Sequence, residues 1–259
     1  MSFEKQSFLV VGGAKRGSIG LELIKKLFSI GVEKVAIFDI CDASDVITEL
    51  KTLFPTKAIL FLKVDVRNKV EIENAYKQVV NAFGYVDVLA NFAGILDESK
   101  PQDVIEINLL GVIYATLVGI DQMSIEKGGR GGTIVNMASI CGLDEFFWAP
   151  SYCASKHGVV AFTKSLAEKE LSAELGIKFI VICPGFTATS LLAEVQPRLY
   201  GKNVETEMPK IMEKYGIQTV DQCVNSLVEV LKKAENGSTW ILSNGDNKLV
   251  DFQFYYKEK

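Results

Sequence analysis

A tyrosine and a lysine four residues apart are the pair in this chain best suited to moving a proton. Tyr152 and Lys156 lie near the start of a predicted helix, and helical spacing puts them on one face. A phenol ordinarily titrates near ~10, and a neighbouring ammonium group favours its deprotonated form. Tyr152 can then act as an acid or base nearer neutral pH. Ser139, which follows a predicted strand, can hydrogen-bond a substrate oxygen. The alternative is a purely structural role, in which its hydroxyl caps the backbone at the end of the strand.

The scarcity of histidine narrows the other possibilities. The 259 residues include one histidine, His157, and five cysteines with no Cys-x-x-Cys pair. A Ser-His-Asp hydrolase or a multi-histidine metal site would have to rest on His157, which points about 100° around the helix from Lys156. The cysteine spacing excludes zinc ribbons and thioredoxin chemistry. We therefore expect no metal site, and proton transfer that does not use histidine.

Composition predicts the cellular location of the protein and argues against nucleic acid and membrane as partners. Twenty-eight Lys and Arg against 32 Asp and Glu give a net charge of −4, which disfavours nucleic acid as a partner. The sequence shows no apolar run of the ~18 residues that a membrane span needs, and no secretory signal pattern. Scattered cysteines are typical of reduced, intracellular thiols. We therefore expect a cytoplasmic protein without a membrane span.

Apolar runs alternate with helical stretches along the chain. Strands are predicted at Phe8–Val11, Val35–Phe38, Ile59–Val64, Val86–Ala90, Thr133–Met137, Lys178–Cys183 and Trp240–Leu242, and helices at Gly20–Ser29, Val70–Phe83, Val104–Met123 and Ser151–Leu175. This alternation indicates an α/β, Rossmann-type doubly wound fold, a seven-stranded parallel sheet with helices on both faces. Ligands bind such sheets at the carboxyl ends of the strands. We expect a single dinucleotide-binding catalytic domain over residues 1–259, with a substrate-loop insertion at about 186–216.

The first predicted strand is followed by a glycine-rich loop, Gly12–Gly20. Glycines there let the backbone approach a pyrophosphate at a helix N-terminus. Asp39, at the end of the second strand, can accept hydrogen bonds from the ribose hydroxyls of NAD and repel the 2′-phosphate of NADP. Lys15 and Arg16 favour NADP, because they can pair with that phosphate. A fixed carboxylate close to the phosphate is costly, so Asp39 is the stronger argument and predicts NAD. Asp65, ending the third strand, is placed to meet the adenine amino group.

These features occur in the order and approximate spacing of the short-chain dehydrogenase/reductase family, which the chain resembles over nearly its full length. The motifs are the glycine loop, Asn91–Gly94, Asn108, Ser139, the pair Tyr152 and Lys156, and Pro184-Gly185. Four stretches resemble most the hydroxyprostaglandin and insect alcohol dehydrogenase branches of the family: Gly128–Gly132, Tyr152–Gly158, Ile182–Phe186 and Asn236–Trp240. The chain departs from the family in a longer glycine loop and in Phe92, where a second asparagine is common. We expect local repacking there.

The resemblance implies a role for each matching residue. Tyr152 is implied as the general acid/base, and Lys156 as the group that lowers its pKa and holds the nicotinamide ribose. Ser139 would orient the substrate oxygen, and Asn108 would hold a water that links Lys156 to solvent. Asn91 would contact the ribose on the adenosine side, and Thr187 the carboxamide. The full set of expected cofactor contacts is Gly13, Arg16, Gly17, Ser18, Ile19, Gly20, Asp39, Ile40, Asp65, Val66, Asn91, Ala93, Gly94, Tyr152, Lys156, Pro184, Gly185, Phe186, Thr187 and Thr189.

An apolar and aromatic cluster predicts the substrate pocket. Its members are Phe146, Phe147, Trp148, Phe186, Leu191, Leu192 and Tyr200. Such a lining suits a hydrophobic alcohol or ketone, although any one of these side chains can instead belong to the core or to a subunit interface. The aromatic run Phe252–Tyr256 is expected either to pack on a partner subunit or to close over the substrate.

The expected function is NAD-dependent interconversion of a hydrophobic secondary alcohol, of terpenoid, fatty or prostanoid type, and its ketone. One alternative keeps the fold but acts as an NADPH-dependent carbonyl reductase. A second, from another class, is a non-catalytic NAD-binding protein. The resemblance also implies a homodimer or homotetramer formed through the helices Val104–Met123 and Ser151–Leu175.

Overall fold

The fold is taken from a computed structural model, which describes residues 3–194 and 198–253. Within those ranges one sheet has eight strands in the order β3-β2-β1-β4-β5-β6-β7-β8. They are β1 Ser7–Val11, β2 Lys34–Asp39, β3 Ala58–Lys63, β4 Val88–Asn91, β5 Gly132–Met137, β6 Ile177–Pro184, β7 Thr239–Ser243 and β8 Asp246–Leu249. Neighbouring strands from β3 to β7 pair in parallel.

The predicted doubly wound α/β fold is confirmed, but the predicted count of seven strands is wrong. The additional strand, β8, pairs antiparallel with β7 at the edge of the sheet. Its residues are mostly exposed and polar, so they carry no apolar pattern that could predict a strand. The two strands are joined by Asn244 and Gly245, both with positive φ, which is typical of a tight hairpin turn.

Helices cover both faces of the sheet. They are α1 Ile19–Ser29, α2 Ser44–Leu53, α3 Lys69–Phe83, α4 Pro101–Ile105, α5 Gly111–Met123, α6 Pro150–Leu166, α7 Lys169–Leu175, α8 Ser190–Ala193, α9 Val204–Tyr215 and α10 Val220–Lys233. Alternate strand residues face opposite sides: Phe8 and Val10 join the core under α1 and α10, whereas Leu9 and Val11 join the core under α3 and α5. This two-sided burial explains why the strands are apolar throughout.

Two predicted helices differ from those in the structure. The predicted helix Ser151–Leu175 is divided into α6 and α7, because the Glu168 carboxylate accepts the Glu170 and Leu171 N–H groups and so starts a new helix. The predicted helix Val104–Met123 contains a π-helical turn, Glu106–Leu110, between α4 and α5. Such turns are frequent at functional sites. The helices α2 and α10 were not predicted.

One helical stretch, Pro101–Met123, is long and apolar enough to cross a membrane by length and composition. Half of its most apolar window is buried inside the protein. Its α5 part packs on β4 and β5, where Ala115 and Val118 are in the core. This packing is that of a core helix.

Candidate active site

A cavity of about 390 Å³ lies at the carboxyl ends of β1 to β6. It extends from Asp39 and Asp65 at one end, past the crevice between β1 and β4, to Tyr152 and Thr187 at the other. The order of the strands reverses at that crevice, which is where open α/β sheets bind their ligands. The cavity is therefore the candidate site.

The glycine loop is shaped so that the chain can turn tightly beside this cavity. Gly12 has φ +82°, and a Cβ atom there would lie 2.5 Å from the Ala93 backbone nitrogen. A Cβ atom on Gly20 would lie 2.3 Å from the Gly12 carbonyl oxygen. Ser18 caps α1, because its hydroxyl accepts the Leu21 N–H at 3.1 Å. Only glycine fits these positions, and the loop brings the positive end of α1 to the cavity, as a pyrophosphate requires.

Not every predicted contact in this loop faces the cavity. Ser18, Ile19 and Gly20 line it, and so does Lys15. Gly13 instead faces the core, where a Cβ atom would meet Ile24 at 2.8 Å. Arg16 and Gly17 also lie off the cavity wall. The Arg16 guanidinium pairs with the Glu49 carboxylate, and the Gly17 carbonyl accepts the Ser190 N–H at 3.1 Å.

The acidic end of the cavity holds two carboxylates in different ways. Asp39 accepts the Ala14 N–H at 2.9 Å and the Cys41 N–H at 3.2 Å, so its carboxylate is fixed in the wall beside Ile40. Asp65 also lines the wall, but the Arg67 guanidinium donates hydrogen bonds to both of its oxygens. This pairing lowers the pKa of Asp65. The Asp39 carboxylate thus accepts fewer hydrogen bonds than the Asp65 carboxylate and is the more available acceptor.

The Asn91 side chain does not reach the cavity, contrary to prediction. It is buried between the sheet and α5, where its amide donates to Asn136 Oδ1 at 2.8 Å and to the Thr116 hydroxyl at 3.1 Å. It therefore joins β4 to β5. The residues that do form this part of the wall include Val66, Ala93, Gly94 and Phe92.

Tyr152, Lys156 and Ser139 meet on one wall of the cavity. The Lys156 Nζ atom donates to the Met137 carbonyl at 3.0 Å and lies 5.5 Å from the centre of the Tyr152 ring. The Ser139 hydroxyl favours the deprotonated form of the Tyr152 phenol. The same hydroxyl accepts the Cys141 N–H at 3.2 Å, so it also caps its own backbone. The structure thus brings together three of the four predicted catalytic side chains.

Burial controls the protonation of this group. It lowers the pKa of Lys156 to about 8. It also raises the pKa of Tyr152, and the nearby Ser139 hydroxyl, which favours a lower pKa, only partly opposes this effect. The sequence predicts a lowered Tyr152 pKa, and the structure gives the opposite direction because desolvation of the buried phenol is the largest effect on it.

Asn108, the fourth predicted catalytic residue, lies in the π-helical turn and does not line the cavity. Its Oδ1 atom accepts the Ile95 N–H, and its Nδ2 atom donates to the Ile95 carbonyl, both at 2.8 Å. Nδ2 also donates to the Ser155 hydroxyl at 3.2 Å. The predicted water-holding amide thus clamps the loop after β4 against the helix that carries Tyr152.

Replacing Asn108 with alanine should destabilise the fold. Both Ile95 backbone groups would lose their partner, which predicts a loss of about 3 kcal/mol in the free energy of unfolding. Chemical denaturation measures it. Asn74, exposed on α3, is the matched control, and Asn74→Ala should change the free energy by no more than about 0.5 kcal/mol. Equal losses in the two variants would contradict the clamp.

The far end of the cavity is apolar. Of the predicted pocket residues, Phe146, Phe186, Leu191 and Leu192 line it. Further apolar members were not predicted, since they come from distant parts of the chain: Ile95, Leu96, Ile107, Leu199 and Met208.

Three predicted pocket residues lie elsewhere. Phe147 and Tyr200 are 67% and 68% exposed and point to solvent. Trp148 is buried in a cluster with Val204 and Met208, so it supports the pocket from behind. The sequence could not separate these neighbours of Phe146, because the loop before α6 has no regular period that orders its side chains.

The end of β6 and the segment after it close this end of the cavity, where Pro184, Gly185, Phe186, Thr187 and Thr189 line the wall. A residue that the sequence did not indicate, Gln218, holds this segment in place. Its buried amide donates to the Thr187 hydroxyl at 3.1 Å and to the Leu242 carbonyl at 2.7 Å. Nothing in the sequence marks it, since it lies 31 residues beyond Thr187.

Comparison with known proteins agrees with this architecture. The family model described as short chain dehydrogenase matches residues 7–199. Alcohol dehydrogenase 1 of Ceratitis cosyra is 33% identical over 257 residues, which cover 99% of each chain. The protein of Rattus norvegicus named 15-hydroxyprostaglandin dehydrogenase (NAD(+)) is 35% identical, over 95% of this chain and 93% of its own.

The crystal structure of levodione reductase superposes with a TM-score of 0.81, covering 94% of this chain and 98% of the other, at 21% identity. At that identity the likeness concerns the fold alone. The family model spans most of the chain, and the two relatives match 99% and 95% of its length at more than 30% identity. The chain therefore belongs to the short-chain dehydrogenase family of nicotinamide-dependent oxidoreductases.

Proposed function

We propose that this protein is an NAD-dependent dehydrogenase that interconverts a hydrophobic secondary alcohol and its ketone. The observation that carries the proposal is the position of Tyr152, Ser139 and Lys156 on a cavity wall that continues into an apolar pocket. Terpenoid, fatty and prostanoid alcohols fit such a lining. The printed names of the relatives, an alcohol dehydrogenase and a hydroxyprostaglandin dehydrogenase, support the same substrate class.

In this proposal the side chains divide the work of proton transfer. The Tyr152 phenol takes the proton of the substrate hydroxyl during oxidation and returns it during reduction. Ser139 holds the same oxygen, and Lys156, fixed by the Met137 carbonyl, provides the positive charge that favours the phenolate. When bound, the cofactor would supply the hydride acceptor and, in its oxidised form, a second positive charge. That charge would oppose the effect of burial on the Tyr152 pKa.

The residues around Asp39 favour NAD. Its carboxylate is held by two backbone N–H groups at the ribose end of the cavity. The cations that would bind a 2′-phosphate already have partners: Arg16 pairs with Glu49, and Lys15 lies 3.4 Å from Glu194. A 2′-phosphate would have to break these contacts and approach Asp39, which disfavours the NADPH-dependent alternative.

Asp39→Ala should shift the cofactor preference toward NADP. Loss of the ribose acceptor and of the repelling charge predicts a fall of about tenfold or more in the ratio of kcat/KM for NAD to that for NADP. Steady-state kinetics with both cofactors measure this ratio. The control is Asp45→Ala, an exposed acid on α2, which should leave the ratio unchanged. An unaltered ratio in Asp39→Ala would show that Asp39 does not select the cofactor.

The proposed function is tested by NADH formation from a panel of hydrophobic secondary alcohols, with small primary alcohols and sugars for comparison. We expect turnover to rise with the apolar surface of the alcohol. Tight NAD binding by calorimetry without turnover of any alcohol would favour the non-catalytic alternative. A cytoplasmic location and a homodimer or homotetramer complete the proposal, and sedimentation measures the oligomeric state.

A further inference from the structure

The helix that carries Tyr152 and Lys156 begins without a cap of its own. The residue before α6 is Ala149, which has no side-chain oxygen, and the first helical residue is Pro150, which has no N–H. The next two N–H groups, of Ser151 and Tyr152, have no partner within the helix. Tyr152 is itself buried, so its N–H needs a partner other than bulk water.

Glu98, more than fifty residues earlier in the chain, provides that partner. Its Oε1 atom accepts the Tyr152 N–H at 2.9 Å, and its Oε2 atom accepts the Ser151 N–H at 3.0 Å. The half-buried carboxylate thus binds the first turn of α6 with both oxygens and places a negative charge at the positive end of the helix. Glu98 thus caps the helix from a distant part of the same chain, as an N-cap side chain does locally.

The loop that carries Glu98 is itself held firmly. Asn108 fixes both backbone groups of Ile95, three residues earlier. The Glu98 N–H donates to the Arg198 carbonyl at 2.8 Å, which ties the loop to the segment before α9. Glu98 therefore joins a rigid loop, the start of α6 and the substrate side of the cavity. Side-chain substitutions at Glu98 leave its backbone bond to Arg198 in place, so they isolate the cap.

We infer that Glu98 is a positioning residue for the reaction, acting by fixing the backbone of Tyr152 in the first turn of α6. This inference rests on the proposed role of Tyr152. First turns are where helices fray, and a displacement of about 1 Å at a reacting group can cost 10²-fold in rate. Lys156 lies one turn further on and is held by the Met137 carbonyl, so the loss of Glu98 reaches Tyr152 selectively.

The test compares Glu98→Gln, Glu98→Asp and the control Glu145→Gln, an exposed acid in the loop before the same helix. Glutamine keeps the size of the side chain but turns an NH2 group toward one of the two N–H donors. We expect kcat to fall about tenfold or more in Glu98→Gln with KM for NAD changed by less than about twofold. Aspartate keeps the charge on a shorter stem, so a smaller loss of kcat is expected. The control should match the wild type.

Amide hydrogen exchange gives a readout that needs no turnover. The Ser151 and Tyr152 amide protons should exchange at least about tenfold faster in Glu98→Gln, with the interior of α6 unchanged. Unchanged exchange at these two amides, or an unchanged kcat in Glu98→Gln, would overturn the inference. Absence of alcohol turnover in the wild type would instead contradict the proposed function, while the exchange data would still decide whether Glu98 is the cap.

Discussion

Tyr152→Phe should lower kcat/KM for alcohol oxidation by about 10²- to 10⁴-fold, the range expected when a general acid/base is lost. The substitution removes one oxygen at the cavity wall that Tyr152 shares with Ser139. The ring keeps its place against Val104 and Ala149, so packing is retained. Because NAD binding does not require the phenol proton, its Kd should change little. Steady-state kinetics and calorimetry measure the two quantities.

The matched control is Tyr215→Phe, which removes an exposed hydroxyl at the end of α9, outside the cavity. It should leave kcat/KM at the wild-type value. If Tyr152→Phe retained full activity, Tyr152 would not be the proton-transfer group. A circular dichroism spectrum like that of the wild type separates lost chemistry from lost folding.

Lys156→Met should reduce kcat/KM by about 10²-fold or more, because it removes the buried positive charge beside Tyr152. Methionine fills much of the same volume, so the sheet and α6 should remain packed. Exposed Lys77 on α3 gives the control, Lys77→Met, for which no change in activity is expected. Wild-type activity in Lys156→Met would mean that tyrosine deprotonation does not depend on this charge.

The wild type and Lys156→Met also test the lowered pKa of Lys156. Burial lowers this pKa from 10.5 in the unfolded chain to about 8 in the folded protein. Between these values the unfolded chain binds more protons, so the stability of the wild type should rise with pH. Relative to Lys156→Met, the gain in the free energy of unfolding from pH 8 to pH 10.5 should approach about 3 kcal/mol. Denaturation curves with parallel pH dependence in both proteins would contradict a buried, charged Lys156.

Much of the fold could be predicted from the sequence because its cause is local. A strand buried on both faces must be apolar throughout, which marked the central strands β1, β2, β4, β5 and β6, and the half-buried β3 and β7 keep enough apolar residues to be recognised. The edge strand β8 has one neighbour and exposed side chains, so its pairing depends on the hairpin turn at Asn244 and Gly245 and leaves no apolar pattern. The division between α6 and α7 depends on a single side chain, Glu168, in an otherwise continuous helical pattern.

In the candidate site, too, the residues with a local sequence signal could be predicted, and those that depend on distant contacts could not. Tyr152, Lys156 and Ser139 were identified from type and spacing, and all three line one cavity wall. The direction of side chains was harder to predict. Asn91 and Asn108 belong to family motifs, yet their amides hydrogen-bond protein groups and do not face the cavity. The contacts of Gln218 and Glu98 link parts of the chain 24 to 54 residues apart. No periodicity encodes such pairs, so only the folded chain shows them.

In the proposed reaction, the carbinol carbon of a secondary alcohol would give its hydride to NAD bound in the cavity, while Tyr152 accepts the hydroxyl proton. The most direct test is to incubate the protein with NAD and hydrophobic secondary alcohols deuterated at the carbinol carbon, and to measure the mass of the NADH formed. We predict deuterium in NADH with the wild-type protein and a large loss of labelled NADH with Tyr152→Phe. Unlabelled NADH, or none from any alcohol although NAD binds, would contradict the account.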